Sequence, residues 1–190
     1  IVANYELMKK QLYQLKYPLK LQMVKNLNEK SKKNVVRIIN IDLKFKNPFK
    51  VSHKESSKYV IKSLSLAHNI CSGNKFNGFI NCPIDKKLLD SRYIAGVTEF
   101  LAKKNRIKDN SEVMMIYNQK LAVVPITTHV SLKKVAASIN RNLIIKKLVT
   151  LNNCYRKLFK REPKICVLGL NPHNGEMLKK SEEVKIILPA

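Results

Sequence analysis

Short apolar runs alternate along this chain with stretches whose apolar residues recur at helical spacing. That alternation confines the fold to α/β architectures. Residues 1–3 read as the end of a strand, and Asn4 suits the cap of a helix over 5–16 with Leu7, Met8, Leu12 and Leu15 on one face. Pro18 stops that helix, and residues 20–24 alternate like a strand. Val35-Val36-Arg37-Ile38-Ile39 is strand-like, whereas Asn47-Pro48 and the polar run 52–57 read as loop. Residues 57–70 form a helical stripe of Val60, Ile61, Leu64 and Ala67, ended by Gly73. Phe79-Ile80-Asn81-Cys82-Pro83 reads as a buried strand, and residues 98–102 begin a short helix. Residues 112–117 and 120–125 predict a hairpin about Asn118-Gln119, and Ser131 caps a short helix reaching Ile139. The longest helix is expected over 142–159, with Leu143, Ile144, Leu148, Leu151 and Leu158 facing the core. Residues 164–170 make a compact apolar strand, residues 171–176 a loop, and Ser181 opens a last helix that runs into Ala190. The pattern predicts a mostly parallel sheet covered by helices, an α/β/α arrangement with one hairpin.

At 190 residues the chain has length for one domain, or one domain and part of a second, and its 45% hydrophobic content is enough to fill a core. No apolar run approaches the roughly 20 residues of a membrane-spanning helix, so no membrane partner is expected. The chain opens on Ile1 and closes inside a helical pattern, so both ends read as cut. No internal repeat or low-complexity linker interrupts it.

Lys and Arg total 37 against 13 Asp and Glu, a net charge of +24. Such a balance raises nucleic acid or an anionic surface as partners. Arginine, the better residue for forked phosphate and base contacts, is confined to Arg37, Arg92, Arg106, Arg141, Arg156 and Arg161. Lysines are spread along the chain, often doubled as in Lys9-Lys10, Lys32-Lys33, Lys86-Lys87, Lys103-Lys104, Lys133-Lys134 and Lys146-Lys147. We read a solvated lysine coat and no specific nucleic acid partner. Cys71, Cys82, Cys154 and Cys166 contain no C-x-x-C pair, so a zinc ribbon has no support. Cys82 and Cys166 sit in strand-like runs, where a thiol usually serves as a small buried hydrophobe, and a cytoplasmic protein with reduced cysteines is expected.

Neither G-x-G-x-x-G nor a P-loop motif occurs. Two segments run from apolar residues into polar groups, as ligand sites beyond strand ends do. One is Val123-Val124-Pro125-Ile126-Thr127-Thr128-His129; the other is Val167-Leu168-Gly169-Leu170-Asn171-Pro172-His173. Imidazole is a common ligand of zinc-like cations, so His129 and His173 are candidate metal ligands; the alternative is that each only caps its loop. His53 and His68 read as surface residues.

From about residue 59 to 190 the chain resembles the 4-hydroxythreonine-4-phosphate dehydrogenase family, NAD-dependent enzymes of vitamin B6 synthesis. Gly96-Val97-Thr98-Glu99-Phe100 resembles the family's G-H-T-E-F, and Thr127-Thr128-His129 its T-T-H. Gly169-Leu170-Asn171-Pro172-His173-Asn174-Gly175-Glu176 resembles G-L-N-P-H-A-G-E, followed by Glu182-Glu183 and Ile186-Ile187-Leu188-Pro189 in place of E-E-I-x-x-I-I-P. The resemblance implies an isocitrate/isopropylmalate dehydrogenase-like fold, of which residues 1–190 would be a partial α/β region within a larger two-domain enzyme. It implies His129 and His173 as ligands of a divalent cation, zinc most often with magnesium or cobalt as alternatives, and Thr98 as a substrate contact. NAD as hydride acceptor, a small phosphorylated substrate and a homodimer follow from the same resemblance. So does oxidative decarboxylation of 4-phosphohydroxy-L-threonine.

The departures are Val97 where the family has His, Asp85 where it has His or Asn, and Met177-Leu178-Lys179 where it has G-G-H. They open two variants, a dehydrogenase of another four-carbon acid phosphate of the threonate or erythronate type and a non-catalytic relative. The family's third metal histidine and NAD-binding region have no counterpart within 1–190, so this chain alone is expected to be inactive.

Overall fold

The computed structural model describes residues 1–25, 27, 29, 33–73, 76–89, 96–107 and 110–190; Lys32 and Arg92 of the charge reading lie outside them. The chain divides into two compact units, Ile1–Gly96 and Val97–Ala190.

In the first unit, strand β1 (Val2–Ala3) leads through Asn4 into helix α1 (Tyr5–Gln14). Asn4 is buried and fully engaged. Its Oδ1 accepts from the Leu7 amide at 2.8 Å, its Nδ2 donates to the Ile41 carbonyl at 2.7 Å, and its own amide donates to the Tyr59 hydroxyl at 3.1 Å. The short side chain thus caps α1, as its type predicts, and ties it to Ile41, while the backbone amide of the same residue ties it to Tyr59. Strands β2 (Lys20–Met23) and β3 (Val35–Asn40) follow, and the sheet is parallel in the order β1-β3-β2. Register pairs Val2 with Ile39 and Lys20 with Val35. Ile38 of central β3 has no exposed surface, and Ala3, Val24, Ile41, Leu64 and Leu89 are the other buried apolar residues of this unit among those described.

Helix α2 (His53–Ser72) begins four residues before the expected start at Ser57. Ser52 caps it, accepting from the Glu55 amide at 3.4 Å, and Glu55 lies in the positive first turn. The polar run taken for loop is that first turn. Its apolar period begins only at Val60, so periodicity alone dated the helix late. The expected stop at Gly73 holds. The expected strand 79–83 does not form: Ile80 and Cys82 are exposed, no ladder partner occurs among the described residues, and Pro83 has no amide to donate. From α2, His53 Nε2 lies 3.0 Å from the Lys87 carbonyl and Ser57 Oγ donates to the Leu88 carbonyl at 2.6 Å.

In the second unit, helix α3 (Val97–Lys104) buries Phe100 and Ala102. The expected hairpin is present but contracted to β4 (Ile116–Tyr117) and β5 (Ala122–Val123), antiparallel, with Ile116 opposite Val123. Asn118 Oδ1 sets its turn by accepting from the amides of Lys120 and Leu121, both at 2.8 Å. A 3₁₀ turn at Leu132–Lys134 and helix α4 (Val135–Ser138) occupy the stretch after Ser131, whose side chain makes no capping bond.

Helix α5 (Arg141–Phe159) is capped by Asn140, which accepts from the Leu143 amide at 2.9 Å. Its 19 residues fall one short of the 20 in α2, so α2 is the longer of the two. Ile144 is buried as expected, but Leu158 is 62% exposed. The other buried residue of α5 is Lys147, whose Nζ donates to the Glu112 carbonyl at 2.6 Å. A long amphipathic side chain can fill apolar space with its stem while its ammonium reaches a backbone acceptor.

Residues 164–170 form no strand, and Ile165, Val167 and Leu168 are exposed. The run has strand composition without a strand to pair with among the described residues, and a ladder needs both partners. A short helical turn at Glu183–Ile187 follows Ser181, whose Oγ accepts from the Val184 amide at 3.3 Å. All four cysteines are free; Cys82 and Cys166 are exposed rather than buried, because the strands expected to enclose them do not form. Among the described residues no helix is long and apolar enough to cross a membrane. The molecule is therefore α/β, with a parallel sheet and helices.

Candidate functional site

Thr98, His129 and His173 all belong to the second unit, on three different segments. Thr98 is half-buried in the first turn of α3, immediately after Val97. Its neighbour Glu99 has a buried Oε2 with no partner among the described residues. His129 is exposed, on a left-handed residue (φ 57°) of the loop beyond β5. It does not extend a strand end, since β5 closes at Val123.

His173 is exposed in the 169–177 loop, which is tightly folded. The Asn171 side chain accepts from the His173 amide at 2.9 Å, and the Asn171 carbonyl accepts from the Asn174 amide at 3.0 Å. Asn174, Gly175, Glu176 and Met177 all have φ between 51° and 55°. Left-handed geometry costs an L-residue roughly 1–2 kcal/mol, so the surroundings must hold Glu176 and Met177 there. Glycine is needed at 175, where φ is 55° and a Cβ would fall 2.6 Å from Ser181 Cβ; a Cβ on Gly169 would fall 1.7 Å from Asn174 Oδ1, so that side chain would have to turn away.

Beneath the loop lies Glu183, 4% exposed, whose Oε1 accepts from the Leu170 amide at 2.9 Å. Sequence reasoning missed Glu183 and Lys147 as buried groups. For Glu183 the only signal was the paired Glu182-Glu183 after the loop; Lys147 gave none beyond its place in the α5 stripe.

A groove of about 920 Å³ opens between the β4-β5 hairpin, α5 and residues 164–168, with Val123, Leu148, Leu151, Tyr155 and Cys166 among its walls. None of Thr98, His129 and His173 lines it. Among the described residues no group of three or more His, Cys, Asp or Glu could hold a metal. Neither the His129 nor the His173 imidazole has a hydrogen-bond partner among those residues, so both rings are open to a ligand. Their donor chemistry suits a zinc-like cation, but this unit offers two such donors and a catalytic zinc site ordinarily has three from protein.

The arrangement defines an α/β protein whose polar candidate residues stand on loops and a helix start rather than in a closed pocket. Over residues 1–190 the sequence matches the family of pyridoxal phosphate biosynthetic protein PdxA. The chain belongs to that family. It is 37% identical over 166 residues to 4-hydroxythreonine-4-phosphate dehydrogenase of Aquifex aeolicus (strain VF5), covering 85% of this chain and 51% of that protein. The enzyme of the same name from Wigglesworthia glossinidia brevipalpis is 36% identical over 171 residues, covering 87% and 51%. The chain thus spans about half the length of the curated relatives it matches. Among solved structures, the crystal structure of 4-hydroxythreonine-4-phosphate dehydrogenase from Klebsiella pneumoniae superposes with a TM-score of 0.84 at 24% identity, over 99% of this chain and 58% of that one. That likeness shows a shared fold.

Proposed function

We propose that this chain is part of a larger two-domain oxidoreductase of isocitrate/isopropylmalate dehydrogenase-like, α/β/α fold. The proposed reaction is NAD-dependent oxidation and decarboxylation of 4-phosphohydroxy-L-threonine in pyridoxal phosphate synthesis. The observation that carries this reading is the match over residues 1–190 to the PdxA family, with relatives bearing that enzyme's name at 37% and 36% identity. A homodimer in the cytoplasm belongs to the same proposal.

His129 and His173 would hold a divalent cation, zinc first and magnesium or cobalt as alternatives, each lending an imidazole nitrogen. The bound cation would supply Lewis-acid polarisation of the substrate oxygen as hydride leaves for NAD and as carbon dioxide is then lost. Thr98, at the start of α3, would orient the substrate by a hydrogen bond from or to its hydroxyl. The 169–177 loop would keep His173 from wandering, since its turn is fixed by backbone and side-chain bonds on either side of the imidazole.

Val97 favours a second reading. A half-buried valine at the first residue of α3, where the family has His, removes a hydrogen-bonding group next to Thr98. A site that loses such a group changes which substrate polar atom is left unpaired, so a threonate- or erythronate-type phosphate is the alternative substrate.

The test follows NADH absorbance for this chain and for the longer protein recovered by extending its reading frame, with and without a chelator. We expect chelator-sensitive NADH formation from 4-phosphohydroxy-L-threonine by the longer protein and none by this chain alone. Turnover indifferent to the chelator overturns the metal role. Turnover of only the threonate or erythronate phosphate establishes the second reading, and turnover of neither with zinc bound marks a non-catalytic relative.

A further inference from the structure

We propose that Glu183 is a positioning residue for His173: from a buried site it grips the 169–177 loop and fixes where the imidazole is presented. Glu183 is 4% exposed, and its carboxylate meets no cation among the described residues. Oε1 accepts from the Leu170 amide at 2.9 Å, three residues before His173. Oε2 is buried without a partner and faces the other arm of the loop, where a Cβ on Gly175 would lie 3.1 Å from it. One carboxylate therefore bonds the loop before His173 and lies close to the Gly175 backbone after it. The loop is closely packed besides this hold, with Asn174 against Gly169 and Gly175 against Ser181.

A buried unpaired carboxylate is a poor stabiliser, and an apolar side chain of similar size usually serves a core at least as well. What the carboxylate supplies is an acceptor at a set distance and direction, and that sets geometry. Groups behind a metal ligand orient it in this way, and losing one typically lowers metal affinity ten- to a hundredfold. The consequence for a metal rests on the ligand role given to His173 above; the grip on the loop does not.

The experiment uses the whole 190-residue chain with Glu183→Gln and Glu183→Asp. It reads amide exchange at Leu170 and affinity for Zn²⁺ added alone, with the α5 amides as internal control. Glutamine keeps the acceptor at full reach, so Leu170 protection and Zn²⁺ affinity should stay near those of the unmodified chain. Aspartate keeps the charge but is one methylene short. Leu170 should then exchange about fivefold faster or more, the loss expected for a hydrogen bond of ordinary strength, which the neutral glutamine acceptor retains. Zn²⁺ affinity should fall about tenfold, with α5 unchanged.

The reverse order, Asp normal and Gln impaired, would show that charge rather than reach matters and overturns the proposal. Equal Leu170 protection in all three proteins overturns it too. Failure of the unmodified chain to bind Zn²⁺ moves that arm to the longer protein, whose failure to bind would refute the ligand role of His173; in either case the Leu170 exchange of the two variants decides whether Glu183 holds the loop.

Discussion

Residues 35–40 and residues 164–170 are both apolar runs with strand composition, yet only the first becomes a strand. In the unit Ile1–Gly96, β3 lies between β1 and β2, pairs with both, and buries Ile38 completely. In the unit Val97–Ala190, residues 164–170 pair with nothing among the described residues, and the neighbouring hairpin keeps two residues per strand, all exposed. The difference teaches that strand formation belongs to pairs. Side-chain composition states a readiness to pair, and burial follows only where a partner supplies the ladder.

This contrast can be broken by mutation. Ile38→Ala should cost about 2–5 kcal/mol, the range for emptying a packed core position, read by urea unfolding. A cost below about 1 kcal/mol would mean that the parallel sheet is not the unit's core. Asn4→Ala comes next, at about 2 kcal/mol, because it removes a helix cap and leaves the Ile41 carbonyl without its buried donor. Asn4→Asp would sharpen the point, since it keeps the cap but not the amide and should recover only part of the loss. Leu168→Ser should be smallest, within about 0.5 kcal/mol, as for exposed positions away from packing. If Leu168→Ser costs as much as Ile38→Ala, residues 164–170 are buried in solution and the contrast fails.

Much of the first unit was legible because its signals were local. Asn4 before a helical period, Pro18 after it and the alternation at β2 each act within a few residues. The start of α2 was missed because Ser52 and Glu55 announce a helix through capping, while the apolar stripe begins later. Strands at 79–83 and 164–170 were misread because pairing is non-local. The same holds for the buried charges: nothing in the spacing of α5 distinguishes Lys147, which reaches the Glu112 carbonyl, from exposed Lys146. Of the doubled lysines with described side chains, Lys147 alone is buried, and the others form the expected solvated coat. For the site, the motifs around Thr98, His129 and His173 placed the chain in its family, whereas the left-handed turn and the carboxylate beneath it appear only in three dimensions.

The central claim is that His129 and His173 act together on one cation. Zn²⁺ titration of the longer protein, in which the third ligand implied by the resemblance is present, alongside its His129→Ala, His173→Ala and His53→Ala variants, tests it most directly. Either site variant should weaken binding by more than the tenfold or so lost with an outer contact, and His53→Ala should leave it unchanged. Equal affinity in all four proteins, or a loss in His53→Ala matching the others, would contradict the claim.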